Sequence, residues 1–199
     1  MKIQKIKNGL LVERKTLETH MRLLILNNRI GHFEGGTPSG FFNHMLNTFC
    51  KYSTISIHLE KCEGDVDVDL HHTIEDFGIV LGTAFRELFD YSQLKRFGSF
   101  TVPMDDALVS VYVDLSGRPY LNFKVDFGDV PLIGNLPVEL VEEFFRSFVN
   151  NSKITMHAVK LFGSNSHHIC EALFKAFAFS VKMATEPSNF ISTTKGVID

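Results

Sequence analysis

Apolar and polar positions change rhythm repeatedly along the chain, and the rhythm predicts its elements. Residues 10–33 carry strand-like stretches; Met21-Arg22-Leu23-Leu24-Ile25-Leu26 is rich in branched aliphatics, and Asn27-Asn28 marks a turn. Gly35-Gly36-Thr37-Pro38-Ser39-Gly40 reads as a loop. Phe42, Met45, Leu46 and Phe49 then recur at i, i+3, i+4 and i+7, which predicts a helix over 41–52. Residues 53–61 alternate as a strand. The alternating Asp and Val of 65–70 predict a short half-buried strand after a turn at Gly64, and a long helix is expected over 71–89.

The pattern then runs a second time. Strands are expected at 100–102, 108–115 and 120–127, with a turn at Ser116-Gly117-Arg118-Pro119. A helix over 136–150 has start signals in Asn135 and Pro137. A strand over 153–162, a loop and a helix over 167–184 follow, and the tail from 186 is polar. Ser53-Thr54-Ile55-Ser56-Ile57-His58 falls opposite Ser152-Lys153-Ile154-Thr155-Met156-His157, and Leu17-Glu18-Thr19 opposite Asp105-Asp106-Ala107. An internal duplication is the simplest account. The expected fold is α+β: two duplicated half-domains of order β-β-β-α-β-β-α, each a small sheet with its helices on one face. The halves are placed at 1–92 and 93–186, followed by a tail at 187–199.

The duplication also repeats a piece of chemistry. His71-His72-Thr73-Ile74-Glu75 and His167-His168-Ile169-Cys170-Glu171 are both His-His-x-x-Glu, each opening a predicted helix. Imidazole nitrogen and carboxylate oxygen are ligands for borderline transition metals. On a helix, positions i and i+4 share a face while neighbours diverge by about 100°. His71 and Glu75 can therefore serve one metal while His72 looks elsewhere, and likewise His167 and Glu171 against His168. The positive helix ends should disfavour imidazolium and keep the rings able to ligate. His157 ends an alternating strand just before the second motif. His44, on a helix with apolar neighbours, reads by itself as a satisfied, partly buried histidine.

Composition narrows the classes. The net charge of −3 offers no basic surface for nucleic acid or anionic membrane. No stretch reaches the roughly 20 apolar residues of a membrane span, and residues 1–15 lack the apolar run of a signal peptide. The three scattered cysteines argue against a disulfide framework and for a reducing, cytoplasmic setting.

Several blocks, in order, resemble the imidazoleglycerol-phosphate dehydratase family. They are Arg14-Lys15-Thr16-Leu17-Glu18-Thr19, Gly40-Phe41-Phe42-Asn43-His44-Met45-Leu46, and Asp69-Leu70 with the first histidine motif through Asp76. Arg96-Phe97-Gly98-Ser99, Pro103-Met104-Asp105 and Asp114-Leu115-Ser116-Gly117-Arg118-Pro119-Tyr120 come next. Asn165-Ser166 with the second motif through Ala176, and Thr193-Thr194-Lys195-Gly196-Val197, complete the series. The resemblance implies two halves like the second domain of ribosomal protein S5. It also implies two Mn2+ ions per active site at subunit contacts, and trimers that assemble into a 24-mer shell. It implies that His44, His71, His72, Glu75, His157, His167, His168 and Glu171 are metal ligands. Glu18 would be the acid/base residue, with Glu75 and Glu171 beside the chemistry. Arg96, Arg118, Lys175, Thr193 and Lys195 would grip the phosphate of a small phosphorylated imidazole.

Each role has a bland alternative: Lys175 stands at i+4 from Glu171, as a helix-surface ion pair would, and Arg118 sits in an ordinary turn. The chain departs from the family's usual residues at Pro38, Asn43, Thr48, Tyr52, Leu70 and Thr193, none of them an implied metal ligand. The reaction implied is metal-dependent dehydration of D-erythro-imidazoleglycerol phosphate to imidazoleacetol phosphate in histidine biosynthesis. A dinuclear metallohydrolase of a small phosphorylated substrate and a non-catalytic metal-binding shell protein are the alternatives.

Overall fold

A computed structural model of the chain describes residues 1–28 and 30–189. The first half runs β1 (Lys2–Ile6), β2 (Gly9–Lys15), β3 (Thr19–Asn27), β4 (Phe33–Glu34), α1 (Gly40–Ser53), β5 (Ile55–Gly64) and α2 (His71–Leu88). The second runs β6 (Phe97–Met104), β7 (Ala107–Asp114), β8 (Tyr120–Lys124), β9 (Leu132–Ile133), β10 (Leu136–Pro137), α3 (Glu139–Ser152), β11 (Thr155–Phe162) and α4 (Ser166–Ala184).

The duplication is visible in the sheets. Besides the two-stranded pair of β9 and β10, the two larger sheets have the orders β1-β2-β3-β5-β4 and β6-β7-β11-β8. Apart from the additional edge strand β1, the orders correspond strand for strand. In each sheet the last pair is parallel, β4 with β5 and β8 with β11, and the rest are antiparallel. The hairpin register repeats too: Arg14↔Met21 and Lys15↔His20 in the first half reappear as Val102↔Val109 and Pro103↔Leu108 in the second.

α2 lies on β2 and β3, α4 on β6 and β7, and the helical layers face one another through α2 against α3 and α1 against α4. Phenylalanine builds that seam. The chain has 19 Phe and no Trp, and all four helices send rings inward. Phe144 of α3 lies 5.2 Å from Phe42 of α1, 6.3 Å from Phe77 of α2 and 5.7 Å from Phe174 of α4, centroid to centroid. Edge-to-face and offset pairs at such distances add to the gain from burial itself.

Three expectations are corrected. Residues 65–70 form no strand: three of them are turn, and Val66 and Val68 are exposed, because β5 ends at Gly64 and no neighbouring strand receives them. Each half therefore has one strand, not two, between its helices. α3 starts at Glu139, not at 136, since Leu136–Pro137 pairs instead with Leu132–Ile133. Asn135 does serve a helix start, but that of α1. Its Oδ1 accepts from Ser39 Oγ at 3.0 Å and Phe41 N at 3.4 Å, and its Nδ2 donates to the Pro38 carbonyl at 3.1 Å. The strand expected over 120–127 stops at Lys124.

Candidate metal and catalytic site

Both His-His-x-x-Glu motifs stand at helix starts. His71 is the first residue of α2, and its N–H donates to Asp69 Oδ1 at 2.7 Å. In α4 the Asn165 side chain caps the end, accepting from His167 N and His168 N. The adjacent rings diverge: His71 and His72 meet at 89°, His167 and His168 at 80°.

The second motif joins the first half through His44. His44 Nε2 lies 3.4 Å, and His167 Nε2 3.3 Å, from the same Glu171 Oε2. The other oxygen, Oε1, accepts from Lys175 Nζ at 2.8 Å. Burial raises the Glu171 pKa, but Lys175 and His44 outweigh it and hold the carboxyl below its ordinary value. Phe41 seats its edge against the His167 ring, with centroids 5.2 Å apart. Two imidazole nitrogens and one ionised oxygen thus offer three donor atoms within 4.8 Å of one another. This set fits a divalent cation with open positions for further ligands.

The second histidine of each motif meets carboxylates. His72 Nδ1 lies 2.9 Å from Asp65 Oδ2 and 3.9 Å from Glu18 Oε2. His168 Nδ1 lies 2.7 Å from Asp106 Oδ1, and its Nε2 is 3.5 Å from Asp105 Oδ2. Glu18, Asp65 and His72 form a second close group of potential ligands. The short Nδ1 contacts assign Asp65 and Asp106 a different part: each fixes the Nδ1–H tautomer and leaves Nε2 as the donor. Asp65 Oδ1 is buried with no hydrogen bond among the described residues, as suits a carboxylate beside a cation or an ordered water.

The pseudo-equivalent hairpin acids differ sharply. Asp106 is bound: its Oδ2 accepts from Ser164 N, Ser164 Oγ and Asn165 N at 2.8, 3.1 and 3.0 Å, while Oδ1 takes His168. The Ser164 N–H first, then His168 and the Asn165 N–H, hold its carboxyl far below the ordinary range. Glu18 has no such ties among the described residues and stands exposed on its turn.

Other expected residues are placed apart. His157 faces outward from its sheet, beside Asn122 (Nδ1 to Nδ2, 3.2 Å) and the Tyr120 ring. His71 and Glu75 join no close donor group among the described residues. Arg96 makes a bidentate pair with Asp114, at 2.6 and 3.1 Å. Arg118 donates to the Ser116 carbonyl at 3.3 Å, and no described carboxylate pairs with it. Thr193 and Lys195 lie outside the described residues, as does most of the tail. Sequence reasoning missed Asp65, which the mistaken strand concealed, and Asp106, whose position opposite Glu18 was the available signal.

The expectation that helix ends disfavour imidazolium fails at His72. The Asp65 hydrogen bond raises its pKa, against desolvation and with help from the Asp65, Glu18 and Asp69 charges. Protons therefore compete for this ring over a higher pH range than for an ordinary histidine, and a cation held through it would load more strongly as pH rises. Titration calorimetry with Mn2+ is expected to give weaker binding at about pH 6 than at about pH 8. Equal affinities would contradict this.

Comparison with known proteins follows this geometry. The family model for imidazoleglycerol-phosphate dehydratase matches residues 37–181. The dehydratase of Thermotoga neapolitana is 49% identical over 199 residues, covering all of both chains. That of Caldicellulosiruptor saccharolyticus is 45% identical over 189 residues, 94% of this chain and 96% of its own. Among solved structures, the dehydratase from Staphylococcus aureus superposes with a TM-score of 0.79 at 34% identity, over 89% of this chain and 99% of that one. IGPD from Pyrococcus furiosus gives 0.80 at 36% identity, over 94% and 99%. With its duplicated sheets, paired histidine motifs and end-to-end relatives, the chain belongs to the imidazoleglycerol-phosphate dehydratase family.

Proposed function

We propose that the chain removes water from D-erythro-imidazoleglycerol phosphate to give imidazoleacetol phosphate, a step of histidine biosynthesis. The observation that carries this reading is the convergence of His44 and His167 on Glu171 from opposite halves, in a chain that matches dehydratases along its whole length.

Two Mn2+ ions per active site are part of the proposal. His44, His167 and Glu171 would hold one. His71, His72, Glu75, His157 and His168 would complete the ligation, and because His157 faces outward on a sheet, a second copy of the chain would bring these groups together. A homo-oligomer, with trimers building a 24-mer shell, follows as the expected state. When bound, such ions act as Lewis acids on the imidazole nitrogens and favour loss of the hydroxyl.

The chain's own residues do the rest. Glu18, exposed on its turn and near His72, takes up and returns the proton on the carbon next to the ring. Asp65 and Asp106 keep Nε2 of His72 and His168 directed outward. Lys175 holds Glu171 in its orientation. Arg118, without a described carboxylate partner, is proposed for phosphate, with Arg96, Lys175, Thr193 and Lys195 the other groups.

The test is incubation of Mn2+-loaded protein with imidazoleglycerol phosphate. Imidazoleacetol phosphate is expected without release of inorganic phosphate, and metal-stripped protein should neither turn over nor form the large shell. Phosphate release would mean a hydrolase. Full turnover without divalent metal would end the metal-dependent reading. No helix among the described residues is long and apolar enough to cross a membrane.

A further inference from the structure

The hairpin that presents Glu18 is tied to α2 by a charged triad. Asp76, with 7% of its side chain exposed, accepts at Oδ2 from Arg14 Nη1 at 2.6 Å and from Thr19 Oγ1. Arg14 stands near the end of β2 and Thr19 opens β3, so one carboxylate oxygen grips both arms of the hairpin. Thr16 closes the turn from within, its Oγ1 accepting from the N–H groups of Glu18 at 3.1 Å and Thr19 at 2.9 Å. The backbone of Glu18 is thereby placed against the first turns of α2, which carry His72.

The second half makes the equivalent hairpin, β6–β7, on the equivalent helix, α4, without these charges. By register, and by distance from the histidine pair, the counterparts of Arg14, Thr19 and Asp76 are Val102, Ala107 and Ala172, all buried. An apolar set therefore suffices to seat such a hairpin. This partly buried ion pair, with Arg14 26% and Asp76 7% exposed, still pays some of the desolvation cost that apolar packing avoids, so stability alone does not explain the charged set. The halves differ in what the hairpin carries. Asp106 is itself bound to the α4 end through Ser164, Asn165 and His168. Glu18 has no comparable ties among the described residues, and an untied acid needs its turn held by other groups.

We propose that the Arg14–Asp76–Thr19 triad is a positioning device for Glu18, which sets the reach of its carboxylate from α2 during proton transfer. None of the three touches the reacting atoms. The inference rests on Glu18 as the proton carrier of the proposed dehydration.

The test transplants the second half's solution: Arg14→Val, Thr19→Ala and Asp76→Ala together in the full-length, Mn2+-loaded protein. The variant is expected to assemble as the parent does and to keep KM within about threefold, while kcat falls about 10- to 100-fold. In a Glu18→Gln background the same triple change should cost nothing further, because the triad acts through Glu18. An assembled triple variant with the parent's kcat overturns the proposal, as does an equal loss in both backgrounds. Should the triple variant fail to assemble, Thr19→Val decides: it deletes the hydroxyl that meets Asp76 Oδ2 and Thr16 Oγ1 and leaves the Arg14–Asp76 pair. A severalfold loss of kcat is expected, and an unchanged kcat overturns the proposal. Failure of the underlying reading looks different, since Glu18→Gln would then turn over like the parent.

Discussion

Glu18→Gln lowers kcat by about 10²- to 10⁴-fold, the range for removing a positioned general acid or base, and leaves assembly and metal content unchanged. Three observations set this expectation. Glu18 stands exposed at the head of the β2–β3 hairpin. Its Oε2 is 3.9 Å from Nδ1 of His72, beside the first histidine motif. It makes no side-chain hydrogen bond among the described residues, whereas Asp106, at the matching place in the other half, is fully engaged. Glutamine keeps the size of the side chain but cannot cycle a proton. The measurement is steady-state turnover together with sedimentation and metal analysis. A variant that retains the parent's kcat sinks the assignment, and one that loses its metal shows Glu18 to be structural. The same variant separates an enzyme from an inert shell protein, because only a turning-over parent can lose activity.

The second large effect is on stability. Phe144→Ala is expected to cost about 3–5 kcal/mol, as large aromatic deletions in packed cores do, and to lower Tm by about 10 °C at fixed chain concentration. Phe144 is 1% exposed, and its ring meets rings from α1, α2 and α4. Phe145 and Phe148 on the same helix reach Phe174, Phe177 and Phe85, so the hole has rigid neighbours on most sides and collapses poorly. Thermal melting of parent and variant checks it; a loss below about 1 kcal/mol would mean the seam closes around the gap. If the seam and the His44 group are coupled, metal-loaded protein should show a larger loss than stripped protein, because the variant would also hold the cation less well.

Much of this architecture could be read from the chain. Helical periodicity placed α1, α2 and α4 to within a residue or two, because the faces they bury are mostly apolar at helical spacing. The hairpin correspondence between Glu18 and Asp106 was visible as an alignment of the halves and is reproduced in strand register. The errors have local causes. Asp65-Val66-Asp67-Val68 imitates a half-buried strand, but alternation predicts burial only where a second strand is available. Asn135 and Pro137 signal a helix start, yet Asn135 caps a helix almost a hundred positions earlier, a tertiary choice invisible to local pattern. His44 could not be joined to Glu171 by spacing, since the two lie in different halves and meet only when α1 docks on α4. The charges of Asp65 and Glu18 at His72 likewise came from segments distant in sequence, and they reversed the effect expected of the helix end.

The pairing of His44 with Glu171 has a consequence for how the molecule checks its own assembly. Neither half alone can present the three-donor group, so the group exists only when α1 and α4 are in register. A slip of one helical turn, about 5.4 Å, would withdraw His44 and leave His167 and Glu171 with one donor fewer. A cation that prefers the complete set therefore selects the correctly docked chain, and at a concentration 100-fold above its Kd it would add about 2.7 kcal/mol to that state alone. On this account the metal would also serve as a gauge of alignment, loaded only into chains whose halves have closed correctly.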